Sequence, residues 1–310
     1  MLRGTFLWLS EHQGAFSLIK RNRLARRIAS RFVAGETLQS AIDVGRTLNG
    51  RGLAVSLDLL GESVSSIEET HAARDEIIST IEGVDRAKLD GNVSVKLTQL
   101  GLDIDSELCA ENMRAVLRRA RDVNVFVRMD MESSAFTERT LRLFYDVLHS
   151  EFGDLTGVVI QSYLRRSEAD IDTLVKLGAR VRLCKGAYAE PPELAFQERE
   201  EVSGSFGRLM RRLLEEGNYP GIATHDPALI DEAVRFVEER GIGPERFEFQ
   251  MLHGVRRDLQ DSLRGRGFNM RVYVPFGTHW YPYLMRRLAE RPANVAFMVT
   301  SLFKEAFGRR

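Results

Sequence analysis

Along most of the chain, short runs of apolar and β-branched residues alternate with longer amphipathic segments. The short runs are Leu53–Leu59, Val93–Leu97, Val125–Met129, Val158–Gln161, Val181–Cys184, Gly221–Thr224, Phe247–Met251 and Met270–Val274. Between them lie helix-like segments around Ser65–Ile81, Glu107–Ala120, Thr137–His149, Glu168–Leu177, Phe206–Glu215, Pro227–Glu239, Arg256–Arg264 and Trp280–Glu290. Strands alternating with helices imply parallel pairing through helical crossovers. About eight such units predict an α/β fold of the (β/α)8 TIM-barrel type over residues 53–310. The rival, an open doubly wound sheet, usually carries a G-x-G-x-x-G turn after an early strand. None is present, and Gly265-Arg-Gly267 precedes a strand instead of following one.

Residues 1–52 read differently, as an N-terminal helical segment. Phe16, Ile19, Leu24, Ile28 and Phe32 recur at helical spacing, with Arg21, Arg23, Arg26, Arg27 and Arg31 between them. The plain reading is a solvated basic face on a helix capping the barrel. A sharper one is peripheral contact with an anionic membrane surface. A non-enzymatic protein that binds nucleic acid through these basic helices is the least expected alternative, because no aromatic interleaving accompanies the charge, and nucleic acid is not an expected partner.

Composition narrows the class. A chain of 310 residues with 44% hydrophobic content suits one barrel with a sizeable core. Lys plus Arg and Asp plus Glu are equal at 44 each, so no net charge draws the protein to nucleic acid. Two cysteines, Cys109 and Cys184, cannot build a disulfide scaffold and point to a reducing compartment. No apolar run approaches a membrane span, and Glu11 and His12 interrupt any secretory pattern. The expectation is a cytoplasmic enzyme.

In such barrels chemistry belongs to the C-terminal strand ends. The polar residues expected there are Asp58 and Glu62, Lys96, Asp130 and Glu132, Gln161, Arg182 and Lys185, Thr224, His225 and Asp226, Gln250 and His253, and Tyr273. Burying such groups is costly unless they are paired, so their density argues for a site. The carboxylates are too scattered and the histidines too few on facing strands for a metal centre. No G-x-S-x-G elbow supports acyl transfer. Lys96 or Lys185 as the Schiff-base amine of an aldolase-like enzyme stays open. Several cations around one mouth suit an anionic ligand better. The last helix adds the adjacent Arg286 and Arg287, beside Trp280, Tyr281 and Tyr283, as an anion clamp with an aromatic wall. The competing reading is a surface pair between Arg286 and Glu290 at i and i+4.

Specific motifs then appear in a fixed order: Asp58-Leu-Leu-Gly-Glu62, Val93-Ser-Val-Lys-Leu97, Asp130-Met-Glu132, Val181-Arg-Leu-Cys-Lys-Gly-Ala-Tyr-Ala-Glu-Pro191, Ile222-Ala-Thr-His-Asp226, Phe247-Glu-Phe-Gln-Met-Leu252, Tyr273-Val-Pro-Phe-Gly277 and Tyr283-Leu-Met-Arg-Arg-Leu-Ala-Glu290. From about Leu53 onward the chain resembles proline dehydrogenase, in its small monofunctional bacterial form, with no room for the further portions of bifunctional relatives. The resemblance implies FAD, oxidation of L-proline to Δ1-pyrroline-5-carboxylate by hydride transfer from C5 to flavin N5, and a membrane quinone as electron acceptor. It implies that Lys96, Arg286 and Arg287 bind the substrate carboxylate and that Tyr273 packs beside the ring. Glu62 would pair with Arg287 as a gate, and Asp130 would be a catalytic-site carboxylate. Arg182 would approach N5. Met131, Gln161, Lys185, Gly186, Ala187, Thr224 and His225 would contact the cofactor. Product would pass to a separate pyrroline-5-carboxylate dehydrogenase, and the enzyme would be cytoplasmic or peripheral on the inner face of the membrane. The plainer readings are that Gln161 and Thr224 cap strand ends, that His225 is a structural hydrogen-bonding histidine, and that Cys184 packs.

Overall fold

Alternation along the first strand-like run already divides the chain's side chains into two faces. In β1 (Ala54–Leu59), Ser56 and Asp58 share one face while Val55 and Leu57 take the other, because successive side chains of a strand point oppositely. The computed structural model describes residues 30–61 and 64–290, except the side chains of residues 286–290. Within it, β1 is followed by β2 (Gly91–Val95), β3 (Val127–Met129), β4 (Thr156–Gln161), β5 (Arg180–Cys184), β6 (Gly221–Ala223), β7 (Glu248–Leu252) and β8 (Met270–Phe276). All pair in parallel and in sequence order, and β8 closes on β1 from Ala54↔Arg271 to Leu59↔Phe276. The expected (β/α)8 barrel is what forms.

Helix α1 (Leu38–Asn49) precedes the barrel and packs against β1 and β8. The crossover helices are α2 (Ile67–Arg86), α3 (Ser106–Val123), α4 (Ser134–Leu143), α5 (Ser167–Lys176), α6 (Arg199–Glu216) and α7 (Pro227–Arg240). Helices α8 (Arg257–Gly265) and α9 (Trp280–Glu290) follow β7 and β8. Local chemistry starts several of them. Ser66 accepts a hydrogen bond from the Glu69 amide at 3.2 Å while the Glu69 carboxylate accepts from the Ser65 amide at 2.7 Å, a reciprocal cap for α2. At α7, Asp226 accepts from the Ala228 amide and Pro227 occupies the first turn, where its missing N–H costs nothing.

Several strand boundaries differ by one or two residues from the sequence expectation; the clearest are at β2 and β3. Strand β2 ends at Val95, so Lys96 lies beyond it, and the chain turns at once into the 3-10 turn Leu97–Leu100. That turn is held by the buried Glu132, which accepts from the Thr98 amide at 3.1 Å and its hydroxyl at 2.5 Å. Strand β3 is only three residues long, so Val125 falls outside it.

The apolar core lies between the strands and the helices. Val55, Leu57, Val93, Val127, Met129, Val181, Leu183, Phe249, Val272 and Val274 are all buried there. Burying each such side chain contributes about 1.5–3 kcal/mol. The opposite faces fill the barrel with polar groups instead of the branched aliphatics usual in this fold. Ser56, Ser94, Arg128, Arg182, Glu248 and Gln250 are buried. Most of their polar atoms are hydrogen-bonded within the barrel, whereas Arg128 reaches the Val158 and Arg180 carbonyls and its Nε has no partner among the described residues. Among the described residues, no helix is long and apolar enough to cross a membrane.

Candidate active site

Above this polar interior, the C-terminal strand ends open into a cavity of about 390 Å³, within the size range of small-molecule and cofactor sites. One group of side chains, carried on β1, β2, β5 and β8 and just past the ends of β2 and β3, organises one part of its wall. The Arg182 guanidinium donates through Nη1 to Asp130 Oδ1 at 2.7 Å and through Nη2 to the Ser56 and Ser94 hydroxyls at 3.3 and 3.2 Å. Its Cζ lies 5.2 Å from the centre of the Tyr273 ring, a cation–π contact. Tyr273 Oη donates to the other Asp130 oxygen at 2.6 Å. Beside them, Lys96 Nζ donates to Asp58 Oδ1 at 2.8 Å.

Burial sets the protonation of this group. Burial, then the Asp130 and Asp58 charges, push the Tyr273 phenol well above its ordinary value, so it remains a donor. Burial also raises Asp58, against the lowering effect of Lys96, and the nearby Asp130 charge adds to the rise. Asp58 Oδ2 has no hydrogen-bond partner among the described residues.

A second group lies on the loops after β4, β5 and β6. Gln161 donates to the Glu132 carbonyl at 2.9 Å, which fixes its amide at the cavity wall. Lys185 donates to Asp226 at 2.8 Å and to the Ser203 hydroxyl at 3.0 Å. Thr224 Oγ1 accepts from the Asp226 amide at 3.1 Å, and His225 Nε2 accepts from the Leu252 amide at 2.9 Å. The latter bond places the proton of a neutral His225 ring on Nδ1. Gly186 holds the loop against Tyr163: its φ is +115°, and a Cβ there would fall 2.3 Å from the Tyr163 ring.

Most of the residues expected from sequence converge, although Glu132 and His253 do not line the cavity. Lys96, Asp130, Met131, Gln161, Arg182, Lys185, Gly186, Ala187, Thr224, His225 and Tyr273 all line the one cavity. Arg286 and Arg287 belong to α9 by backbone, but their side chains, like Glu62 and the basic stretch before residue 30, lie outside the described residues.

The mouth is mixed in sign, as expected, and its described cations are paired: Lys96, Arg182 and Lys185 each have a carboxylate partner. Two expectations need correction. Cys184 is not confined to packing. It shares the parity of Arg182 along β5 and so lines the cavity. The aromatic wall is Tyr283. Trp280 instead donates to Glu36 at 3.0 Å, and neither it nor Tyr281 lines the cavity. Sequence reasoning assigned no role to Asp58 as the partner of Lys96, to Asp226 as the partner of Lys185, or to Gln250 beneath Arg182. The signal for Asp58 was present, since it alternates with Leu57 on the same face as Ser56.

A closed parallel barrel with a paired, buried ionic cluster at its C-terminal mouth defines a (β/α)8-barrel enzyme. The family model for proline dehydrogenase matches residues 41–300. Proline dehydrogenase 2 of Bacillus subtilis is 41% identical over 303 residues, covering 98% of this chain and 99% of that protein. Proline dehydrogenase of Deinococcus radiodurans is 41% identical over 281 residues, covering 89% and 90%. The crystal structure of proline utilization A from Bdellovibrio bacteriovorus, inactivated by N-propargylglycine, superposes with a TM-score of 0.81 at 25% identity. The match covers 86% of this chain and 33% of that one, so the chain spans about a third of the length of this solved relative. The chain belongs to the proline dehydrogenase family.

Proposed function

We propose that the mouth binds FAD and L-proline, and that proline is oxidised there to Δ1-pyrroline-5-carboxylate. The observation that carries this reading is the Arg182–Asp130–Tyr273 cluster facing a cofactor-sized cavity in a chain of this family. The residues present suit a flavin. Gln161 offers a fixed amide, the Lys185–Ala187 loop offers backbone at the cavity wall, and Thr224 and His225 extend that wall. Met131 adds an apolar contact, and Lys185 is the cation for the ribityl and phosphate end. Bound FAD supplies the two-electron acceptor that no side chain provides.

The protein's own residues then bind and orient. Lys96, with Arg286 and Arg287 from α9, holds the substrate carboxylate, and Glu62 closes over it with Arg287. Orientation of this kind is worth several kcal/mol of barrier. Both Asp130 oxygens are already engaged, so its task is to hold Arg182 and Tyr273 rather than to take a proton. Tyr273, kept protonated, packs beside the ring. The amine of proline sheds its proton before C5 gives up hydride, since the forming C=N bond needs the nitrogen lone pair. Electrons leave to a membrane quinone through peripheral contact, and a separate dehydrogenase takes the product.

The aldolase-like alternative is disfavoured by geometry. Both candidate lysines are ion-paired at 2.8 Å, and a paired ammonium has no lone pair for carbonyl addition. Anaerobic addition of L-proline to the purified protein tests the proposal. Yellow flavin bands that fade support it; protein without flavin, or bands that persist, count against it.

A further inference from the structure

Beneath the mouth, a hydrogen-bonded chain continues down the barrel axis that the catalytic reading leaves unused. Arg182 Nε donates to Gln250 Oε1 at 2.5 Å, and Gln250 Nε2 donates to Glu248 Oε1 at 2.5 Å. Glu248 in turn accepts from Arg271 Nε at 2.8 and 3.0 Å, and Arg271 Nη1 donates to the Val55 carbonyl at 2.9 Å. Gln250 and Glu248 are 3% and 2% exposed, so water does not compete for these bonds.

The direction of the chain is forced. Burial opposes the Glu248 charge, but Arg271, and then Arg128 and the Gln250 amide, outweigh it and hold the carboxyl below its ordinary value. An ionised Glu248 only accepts, so the Gln250 amide must turn its nitrogen down and its oxygen up toward Arg182. A guanidinium is planar with donors in a fixed fork. Fixing its Nε edge from below and its Nη2 edge on Ser56 and Ser94 leaves Nη1 aimed at Asp130 and the cavity.

The neighbouring strand is shaped for this amide. Gly221 of β6 has no positive φ, yet a Cβ there would lie 2.4 Å from Gln250 Nε2 and 2.8 Å from its Cδ. Glycine at this position is therefore a matter of space, not of backbone conformation.

We propose that Gln250 is a positioning residue, which locks the Arg182 guanidinium in register with the site by transmitting the orientation set by the Glu248–Arg271 pair on the barrel floor. The inference rests on the reading that Arg182 meets the flavin. Gln250→Leu removes the buried acceptor, Gln250→Glu keeps one and, protonated against the ionised Glu248, still donates to it, and Gly221→Ala presses on the amide without touching Arg182.

Two readouts decide the matter: the midpoint potential of the bound flavin, measured by chemical reduction without proline, and the single-turnover rate of reduction by proline per bound flavin. For Gln250→Leu we expect at least a tenfold loss in both rate and preference for the reduced form, about 30 mV for a two-electron couple. KM for proline should stay within about threefold, since the carboxylate contacts are untouched. Gln250→Glu should recover part of the potential, and Gly221→Ala should move it in the same direction as Gln250→Leu. A structural role alone would lower stability or flavin content while leaving potential and per-flavin rate unchanged, and that result overturns the proposal. Should Gln250→Leu fail to fold, the same readouts on Gln250→Glu and Gly221→Ala decide it. Because the potential needs no proline, a wild-type protein that holds flavin but ignores proline refutes the substrate reading separately.

Discussion

Replacing Lys96 by methionine removes the ammonium that lies 2.8 Å from Asp58 and leaves the carboxylate 1% exposed, with its other oxygen already lacking a partner among the described residues. Breaking a buried pair from one side costs about 3–5 kcal/mol. Asp58 has an escape, however, because burial has already raised its pKa and Lys96 is the main influence holding it down. In Lys96→Met the folded protein therefore keeps a proton on Asp58 that the unfolded chain releases near pH 4. A folded pKa above the unfolded one means that stability is lost as pH rises from the unfolded value. With Asp58 neutral in the folded state, the penalty reaches about 4 kcal/mol at pH 7 and about 1.5 kcal/mol at pH 5. Urea unfolding of Lys96→Met and wild type at both pH values measures this. We expect the deficit of the variant to shrink on acidification from pH 7 to pH 5, by at most about 2.7 kcal/mol, because a raised Asp58 gives the wild type part of the same slope. The double variant Lys96→Met/Asp58→Asn should recover most of the loss at pH 7. An equal deficit at both pH values, or a double variant no more stable than the single one, would refute the reasoning.

Other consequences follow from the proposed carboxylate clamp and from the geometry of the barrel. Arg286→Met or Arg287→Met should raise KM for proline about thirtyfold or more with FAD retained, since removing a partner from a desolvated charge-assisted contact costs about 2–5 kcal/mol; unchanged kinetics in both would remove the clamp. His253, half-buried and beside Arg257, has its pKa pushed down to about 4 by desolvation and then by that cation. The unfolded chain binds its proton below about pH 6.5 while the folded one does not, so stability should fall between pH 6.5 and 4, by on the order of 3 kcal/mol from this group, and His253→Leu should flatten that slope in acid unfolding curves. Gly186→Ala combines a backbone at φ +115° with a clash on Tyr163, so flavin content after purification should drop well below wild type while the barrel still folds.

How much of this was legible in the sequence depends on the range of the interaction. Period-2 alternation in Ala54–Leu59 and Arg180–Cys184 is local, and it declares both the strands and the face on which Ser56, Asp58, Arg182 and Cys184 sit. Motif order at the strand ends places Lys96, Asp130, Gln161 and Tyr273 at one mouth from sequence alone, because barrel closure makes every strand end a neighbour of the same opening. The partners were not legible. Asp130 meets Arg182 52 residues away and Tyr273 143 residues away, across the barrel and not along it. Cross-barrel pairing depends on register and side-chain reach, which no local pattern encodes. The mouth was legible as mixed in sign, but which carboxylate meets which cation was not. Gln250 read as one more strand-end polar group, although its place between Arg182 and Glu248 makes it a link in the interior.

Single-turnover reduction with deuterated substrate tests most directly where bond breaking occurs in this mouth. With L-proline deuterated at both C5 positions, flavin bleaching under anaerobic conditions should slow several-fold, and deuterium at C2 should leave it nearly unchanged. Slowing by C2 label without slowing by C5 label, or bleaching insensitive to both in a step shown to be chemical, would contradict a proline ring held with C5 toward the Arg182–Asp130–Tyr273 cluster.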